Sequence, residues 1–405
     1  MKELTKLDKD QLRNYGAFYR KHLLEDVMPF WETRTKDTEC GGFLTCFDRV
    51  GNITDTTKYM WFQGRQMWMF PALYNFVEKR PLWLELAKHG RDFAVKHAYA
   101  GDGRWNYQLD RCGNVQKGTI SIYTDHFIIS GLSELAVATG SDEDLKLISE
   151  TYDAIERNVF DLDFKDIYHG TWNPKFKRHG IYMITVSVAG IAERVLGKER
   201  TKPLIDHCLN QLLNVFAKDE YQLLFESIGR DDEVIMDDPE GRLINPGHTL
   251  ESMWFCMEEG IKRSDQSVVD RAIQIADWAY QAGYDKSYGG IVSYLDANGK
   301  EPVQTDWHKA VGAMWHDKVW WVHSEALYAL VLAAVQKDSP EWFNRFIDLH
   351  DWCQKFFYDP EYGDWYSEVY RDGKPKNTDK GSMWKAAYHL PRALLKTMLL
   401  FEDCR

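Results

Sequence analysis

Asp37-Thr38-Glu39-Cys40-Gly41-Gly42-Phe43 decides the fold, because its spacing returns twice further along the chain. Asp285-Lys286-Ser287-Tyr288-Gly289-Gly290-Ile291 and Asp359-Pro360-Glu361-Tyr362-Gly363-Asp364-Trp365 keep the same interval between the Asp and the first Gly. Each copy runs into a short alternating stretch that ends in a turn: FLTCFDRVGN from Phe43, IVSYLDANGK from Ile291 and WYSEVYRDGK from Trp365. A fourth stretch, RWNYQLDRCGN from Arg104, follows Asp102-Gly103 and reads the same way. Alternation closed by Gly-Asn, Asn-Gly or Asp-Gly predicts β-hairpins.

Between the hairpins the period changes. Leu132, Leu135, Ala136 and Thr139 recur at helical spacing, as do Leu327, Leu330, Val331 and Ala334, and Ala393, Leu394, Thr397, Met398 and Phe401. Each set makes one apolar stripe. Internal repetition is weighed before any domain boundary, and here the unit reads as one hairpin plus two helices. Two more connections, residues 169–177 (HGTWNPKFK) and 225–234 (FESIGRDDEV), bring the units to six. The chain then allots about 68 residues to each, enough for two helices and their loops. The predicted fold is all-α: an (α/α)6 barrel with short β-hairpins on one rim, spanning residues 1–405 as a single domain. An open solenoid would need polar end caps, whereas Leu394, Leu395, Leu399 and Leu400 give the last helix an apolar character.

The chain has 405 residues, 50 basic and 62 acidic, for a net charge of −12. Nucleic acids and anionic membranes need a concentrated positive field, so neither is an expected partner. The longest apolar stretch, Ala326 to Val335, falls well short of the roughly 20 residues that span a bilayer. Seven scattered cysteines, odd in number and without a C-x-x-C pair, point to a reduced cytosol, and the expected location is cytoplasmic. Sixteen tryptophans suit a pocket for sugar rings, although core packing is their ordinary use.

Four aromatic runs carry ionisable residues where burial is expected. Tyr59 to Phe70 sets Arg65 among five aromatics, where it either satisfies a structural carboxylate or points its planar fork into a polar cavity. Asn245-Pro246-Gly247-His248-Thr249-Leu250-Glu251 reads as a turn opening a helix, with Glu251 on the same face as His248 and able to orient its imidazole. Trp320-Trp321-Val322-His323-Ser324-Glu325 repeats that arrangement, and Tyr388-His389-Leu390-Pro391-Arg392 adds a third histidine at a helix start. One such histidine is most simply a core residue; three at the starts of inner helices converge on one barrel mouth. No phosphate-binding loop, H-E-x-x-H or G-x-S-x-G is present. His308, His316 and His323 do not follow a metal-ligand spacing, so no metal is expected.

With the runs Gly41-Gly42-Phe43, Trp61-Phe62-Gln63-Gly64-Arg65-Gln66-x-Trp68, Asn245 to Glu251, Trp320-Trp321-x-His323-Ser324-Glu325-Ala326, Asp359-Pro360-Glu361-Tyr362-Gly363-x-Trp365 and Tyr388-His389-x-Pro391-Arg392, the chain resembles the N-acylglucosamine 2-epimerase family nearly end to end. That resemblance implies an (α/α)6 barrel, a homodimer, and interconversion of N-acetylglucosamine and N-acetylmannosamine. It also implies that His248 and His389 are the paired acid and base. Arg65, Glu251, Glu325, His323, Arg392 and Trp384 would contact or support the sugar. Disaccharide epimerases and mannose isomerases of the wider superfamily place an Asn/His pair on a middle inner helix. The comparable stretch here, Met183 to Ser187, has neither, which favours the N-acyl sugar. Some relatives respond to a nucleotide such as ATP, but no glycine-rich loop supports that dependence here, and no cofactor is expected. The segment Asp306 to Lys318 is longer than the family pattern, which would reshape the rim near His308 and His316. Rival readings are a glycan-binding protein without turnover, and a hydrolase or lyase using paired carboxylates on the same barrel.

Overall fold

The repeated Asp residues join neighbouring hairpins around the rim. The computed structural model describes residues 4–167, 172–305 and 311–404. Asp37 accepts from Lys58 Nζ at 2.9 Å and from both sides of the Arg111 guanidinium at 3.0 Å. Asp285 does the same with Lys318 at 3.1 Å and Arg371 at 2.6 Å. Asp359 takes Lys380 at 2.9 Å and Arg49 at 2.8 Å. All three lysines are sealed from solvent, so each carboxylate compensates a charge that could not be left alone. In every case the Arg sits at the tip of a hairpin from the next unit. Asp359 in the last unit thus grips Arg49 in the first, and the ring closes. The Gly pair after each Asp lies at positive φ: 85° and 68° at Gly41 and Gly42, 72° and 69° at Gly289 and Gly290. Asp364 replaces the second Gly at φ 55°, a conformation that Asp tolerates better than most residues.

Among the described residues, twelve longer helices alternate between an outer and an inner ring. The outer ones are α1 (Lys9–Lys21), α3 (Pro81–His97), α5 (Asp142–Phe160), α7 (Lys198–Asn210), α9 (Gln266–Gly283) and α11 (Pro340–Phe356). The inner ones are α2 (Met60–Phe76), α4 (Ile122–Thr139), α6 (His179–Leu196), α8 (Pro246–Arg263), α10 (Trp320–Lys337) and α12 (His389–Asp403). Inner helices pack on both sides, and α2, α4 and α10 lose their amphipathicity: every residue of α2 from Met60 to Leu73 is buried. Outer helices bury one face, as α5 does with Leu147, Ile148, Thr151 and Ile155. Gly64 shows how tightly the inner ring is drawn, since a Cβ there would lie 2.4 Å from the Phe127 carbonyl. One apolar cluster runs from Leu4 to Phe401 between the rings. This is the (α/α)6 barrel the sequence predicts.

Two expectations change. Three hairpins form locally, pairing Cys46–Phe47 with Ile53–Asp55, Gln108–Leu109 with Val115–Lys117, and Glu368–Val369 with Pro375–Asn377. The stretch from Ile291 does not: its strand Leu295–Asp296 pairs with Leu243–Ile244, because Asp296 accepts from Arg242 at 3.0 Å and draws it across. Cys40 and Cys112 form a disulfide beside the Asp37–Arg111 pair, which the reading of seven scattered cysteines as pointing to a reduced cytosol did not anticipate. A separation of 72 residues hid them from any local motif. Cys46, Cys208, Cys256 and Cys353 are buried thiols. Among the described residues no helix is long and apolar enough to cross a membrane. His308 and residues 169–171 lie outside the described residues.

Candidate active site

The inner helices all begin at the rim that carries the hairpins, so their first turns face one mouth. Asn245 caps α8 by accepting the His248 backbone N–H at 3.0 Å, and Pro246 occupies the first helical position. This fixes His248 at the helix start with 28% of its side chain exposed. Its Nδ1 lies 3.0 Å from Glu226 Oε2. Glu251, the expected partner, turns elsewhere. Glu226 follows the strand Leu223–Leu224 and is nearly sealed, as is His179, the first residue of α6.

His389 opens α12 and places Nδ1 2.7 Å from Glu325 Oε1. The same oxygen accepts from Arg392 Nη2 at 2.7 Å, while Trp254 Nε1 donates to Oε2 at 2.8 Å. Arg392 Nη2 also donates to Glu251, and its Nη1 donates to Tyr388 Oη at 2.8 Å. Its side chain is thereby committed to the two carboxylates, a supporting role behind His389 rather than the sugar contact the resemblance implied.

Trp321 lies between the two histidines, its ring centroid 5.0 Å from His248 and 5.7 Å from His389. It is not buried, in a helix whose other residues are buried from Trp320 to Val335. Arg65 projects from α2 with its guanidinium carbon 4.1 Å from the Phe127 ring centroid, 4.8 Å from Trp61, 5.0 Å from Tyr388 and 5.2 Å from Phe62. Four aromatic faces hold one cation in place. Trp384 stands edge-on to Trp61 at 5.6 Å and is 42% exposed, which puts it on the rim.

The two imidazoles are displaced in opposite directions. Burial alone would depress His248, but the Glu226 carboxylate overrides it and raises the group above its ordinary value. Burial pushes His389 well below its ordinary value, and the Arg65 charge adds to the push. The site therefore presents one imidazole that favours its proton and one that favours its lone pair. In each, Nδ1 is tied to a carboxylate and Nε2 is left for chemistry.

His323 does not join them. It is sealed, its Nδ1 donating to the Val319 carbonyl at 2.8 Å and its Nε2 accepting the Ile291 N–H at 3.0 Å. Burial holds it neutral, at about 3. The expected sugar contact is a scaffold residue that stacks on Trp352 at 4.9 Å. Sequence reasoning missed Glu226, His179 and His126. Glu226 lies within one quoted connection and His179 just after the other, but no periodicity marks either. His126 bonds Thr185 Oγ1 at 2.8 Å, so the middle-helix stretch from Met183 is polar-linked after all. Among the described residues two groups have donor atoms within 4.8 Å of one another, as a cation would require: His179, Glu226 and His248, and Glu251, Glu325 and His389. Arg392 already supplies the positive charge in the second.

The model of the N-acylglucosamine 2-epimerase (GlcNAc 2-epimerase) family matches residues 42–393. The N-acylglucosamine 2-epimerase of Bos taurus is 30% identical over 92% of this chain and 87% of its own length. That of Homo sapiens is 29% identical over 92% and 86%. Among solved structures, the cellobiose 2-epimerase of Bacillus thermoamylovorans B4167 superposes with a TM-score of 0.82 at 21% identity, covering 96% of this chain and all of that one. The chain belongs to the N-acylglucosamine 2-epimerase family, whose members are isomerases that act on carbohydrates.

Proposed function

We propose that this protein interconverts N-acetylglucosamine and N-acetylmannosamine by exchanging the proton at C2 of the open-chain sugar. One observation carries the reading: two histidines flank Trp321, each with Nδ1 on a carboxylate, and their proton affinities are displaced in opposite directions. Neutral His389 takes the C2 proton through Nε2, and the electron pair moves onto the aldehyde oxygen as an enolate. Arg65 supplies the guanidinium that stabilises that oxygen, and the aromatic wall around it strengthens the attraction by excluding water. Protonated His248 then delivers a proton to the opposite face of C2. A single base would return the proton to the face it came from; two are needed to invert the centre. No electron is transferred, so the scheme calls for no redox partner.

Incubation with N-acetylmannosamine in D2O, followed by NMR, tests the reading. The expected product is N-acetylglucosamine carrying one solvent deuteron at C2, with no fragment released. Cellobiose and mannose run in parallel: faster turnover of either would overturn the N-acyl assignment, and exchange with none would overturn the chemistry. The homodimer is part of the same proposal, and light scattering should give about twice the 47.4 kDa of one chain.

A further inference from the structure

Glu226 has a second neighbour that the exchange reaction does not use. Its Oε1 faces His179 Nδ1 at 3.4 Å, and His179 Nε2 lies 2.7 Å from Ser252 Oγ. Ser252 is one turn after His248 on α8, so the four side chains line up through that helix as Ser252, His179, Glu226 and His248, with the His179–Glu226 approach a close contact rather than a hydrogen bond. All but His248 are buried. The backbone fixes this arrangement as well. The His179 N–H donates to the Glu226 carbonyl at 3.0 Å, the Glu226 N–H donates to Leu243 at 3.2 Å, and Phe176–Arg178 pairs with Ser227–Gly229. Three elements thus hold Glu226 between two imidazoles with no backbone freedom left to choose another partner.

We propose that Ser252, His179 and Glu226 form a positioning relay that sets the tautomer and the proton affinity of His248. The inference rests on His248 carrying a proton in the reaction above. The hydroxyl of Ser252 donates to His179 Nε2, which places the His179 proton on Nδ1, facing Glu226. The opposite tautomer would set a lone pair against the carboxylate, an arrangement that burial makes costly. Glu226 stays ionised and accepts from His248 Nδ1–H through its other oxygen. His248 can then gain or lose a proton only at Nε2, the nitrogen left for the sugar. During turnover the Nε2 proton moves to C2, and every proton of the relay stays where it was. The other groups bearing on this arrangement are Arg65, which opposes a charge on His248, and Glu251, which favours it. His389 feels the His248 charge in turn, and Arg178, Tyr123 and Tyr294 couple to Glu226. None of them contacts His248 Nδ1 within hydrogen-bond distance, whereas Glu226 does.

Glu226→Gln, His179→Asn and Ser252→Ala test the relay in the full-length protein, with N-acetylmannosamine and N-acetylglucosamine as substrates. Glu226→Gln should lower kcat roughly 10- to 100-fold while KM moves less than about threefold. Removing the carboxylate lowers the proton affinity of His248, so the upper limb of the kcat/KM profile should shift to lower pH by about one unit. Both directions draw on the same singly protonated histidine pair, so the limb should shift equally in each. His179→Asn and Ser252→Ala should shift it the same way by less. Those two leave His248 and Glu226 in place and carry the test if Glu226→Gln does not fold. An unmoved limb and wild-type kcat in all three variants would overturn the relay, provided that His248→Ala is inactive. An active His248→Ala would instead overturn the two-histidine reaction itself.

Discussion

The His248 and His389 centres are built from the same pair of groups and end in opposite states. Both imidazoles give Nδ1 to a buried carboxylate, at 3.0 Å to Glu226 and 2.7 Å to Glu325. The shorter bond belongs to the histidine with the lower proton affinity, so the bond is not what decides. The third group is. Glu325 shares its oxygen with Arg392, and Arg65 adds a second guanidinium, so His389 meets a carboxylate whose charge is already cancelled. Glu226 has an imidazole beside each of its two oxygens, and its charge acts on His248. Burial works against protonation at both centres, and only an uncancelled anion overcomes it. A His–carboxylate pair is an acid or a base according to what else holds the carboxylate.

The largest effect should come from removing either imidazole. His248→Ala and His389→Ala should each lower epimerisation 10²- to 10⁴-fold, or roughly 3 to 5 kcal/mol of barrier, with the helical circular dichroism unchanged. Each should still exchange the C2 proton of one epimer in D2O, and the two variants should choose opposite epimers. Identical behaviour would erase the distinction between the centres. Arg392→Met attacks the His389 centre through its cation, leaving Glu251 and Glu325 buried without it. Stability should fall by about 3 to 5 kcal/mol, read from the denaturant midpoint at constant m-value. A loss below about 1 kcal/mol would mean the carboxylates find other partners.

Arg65→Lys keeps a charge among the rings but loses the planar fork. We expect kcat to fall about 10- to 100-fold, with KM within a few-fold and Tm within about 2 °C. A large loss of Tm with kcat retained would place Arg65 in the scaffold instead. The pH profile sharpens the comparison further. Activity should fall as pH rises through the raised value of His248 and as pH falls through the depressed value of His389, giving a plateau wider than two unperturbed imidazoles would allow. The smallest effect is at the rim: Trp384→Ala should raise KM about two- to fivefold and leave kcat unchanged, since an exposed ring contributes contact area and no proton.

Much of this site is legible in the chain. Asn245-Pro246-Gly247 announces the helix that carries His248, and the aromatic run from Tyr59 announces the setting of Arg65, because capping and packing periodicity are local. The choice of partners is not. Glu251 shares a helical face with His248, yet Arg392, 141 residues away, captures it. A buried guanidinium outweighs a local imidazole because its charge is permanent and its desolvation cost must be met. His323 sits in a motif that parallels His248, but the backbone N–H of Ile291 arrives from outside the helix and takes its Nε2.

The sequence by itself determined the repeat, the alternation of helix and rim strand, and the helix starts that bring two histidines and an arginine to one mouth. It carried the Asp of three of the units but not its partners, since Lys58 and Arg111 come to Asp37 from different elements. Only the closed barrel decided that Asp359 meets Arg49, that Cys40 meets Cys112, and that Glu226 rather than Glu251 holds His248. Periodicity records which face of an element is buried. The charges that meet on that face are set by ring closure, which joins residues that no local spacing connects.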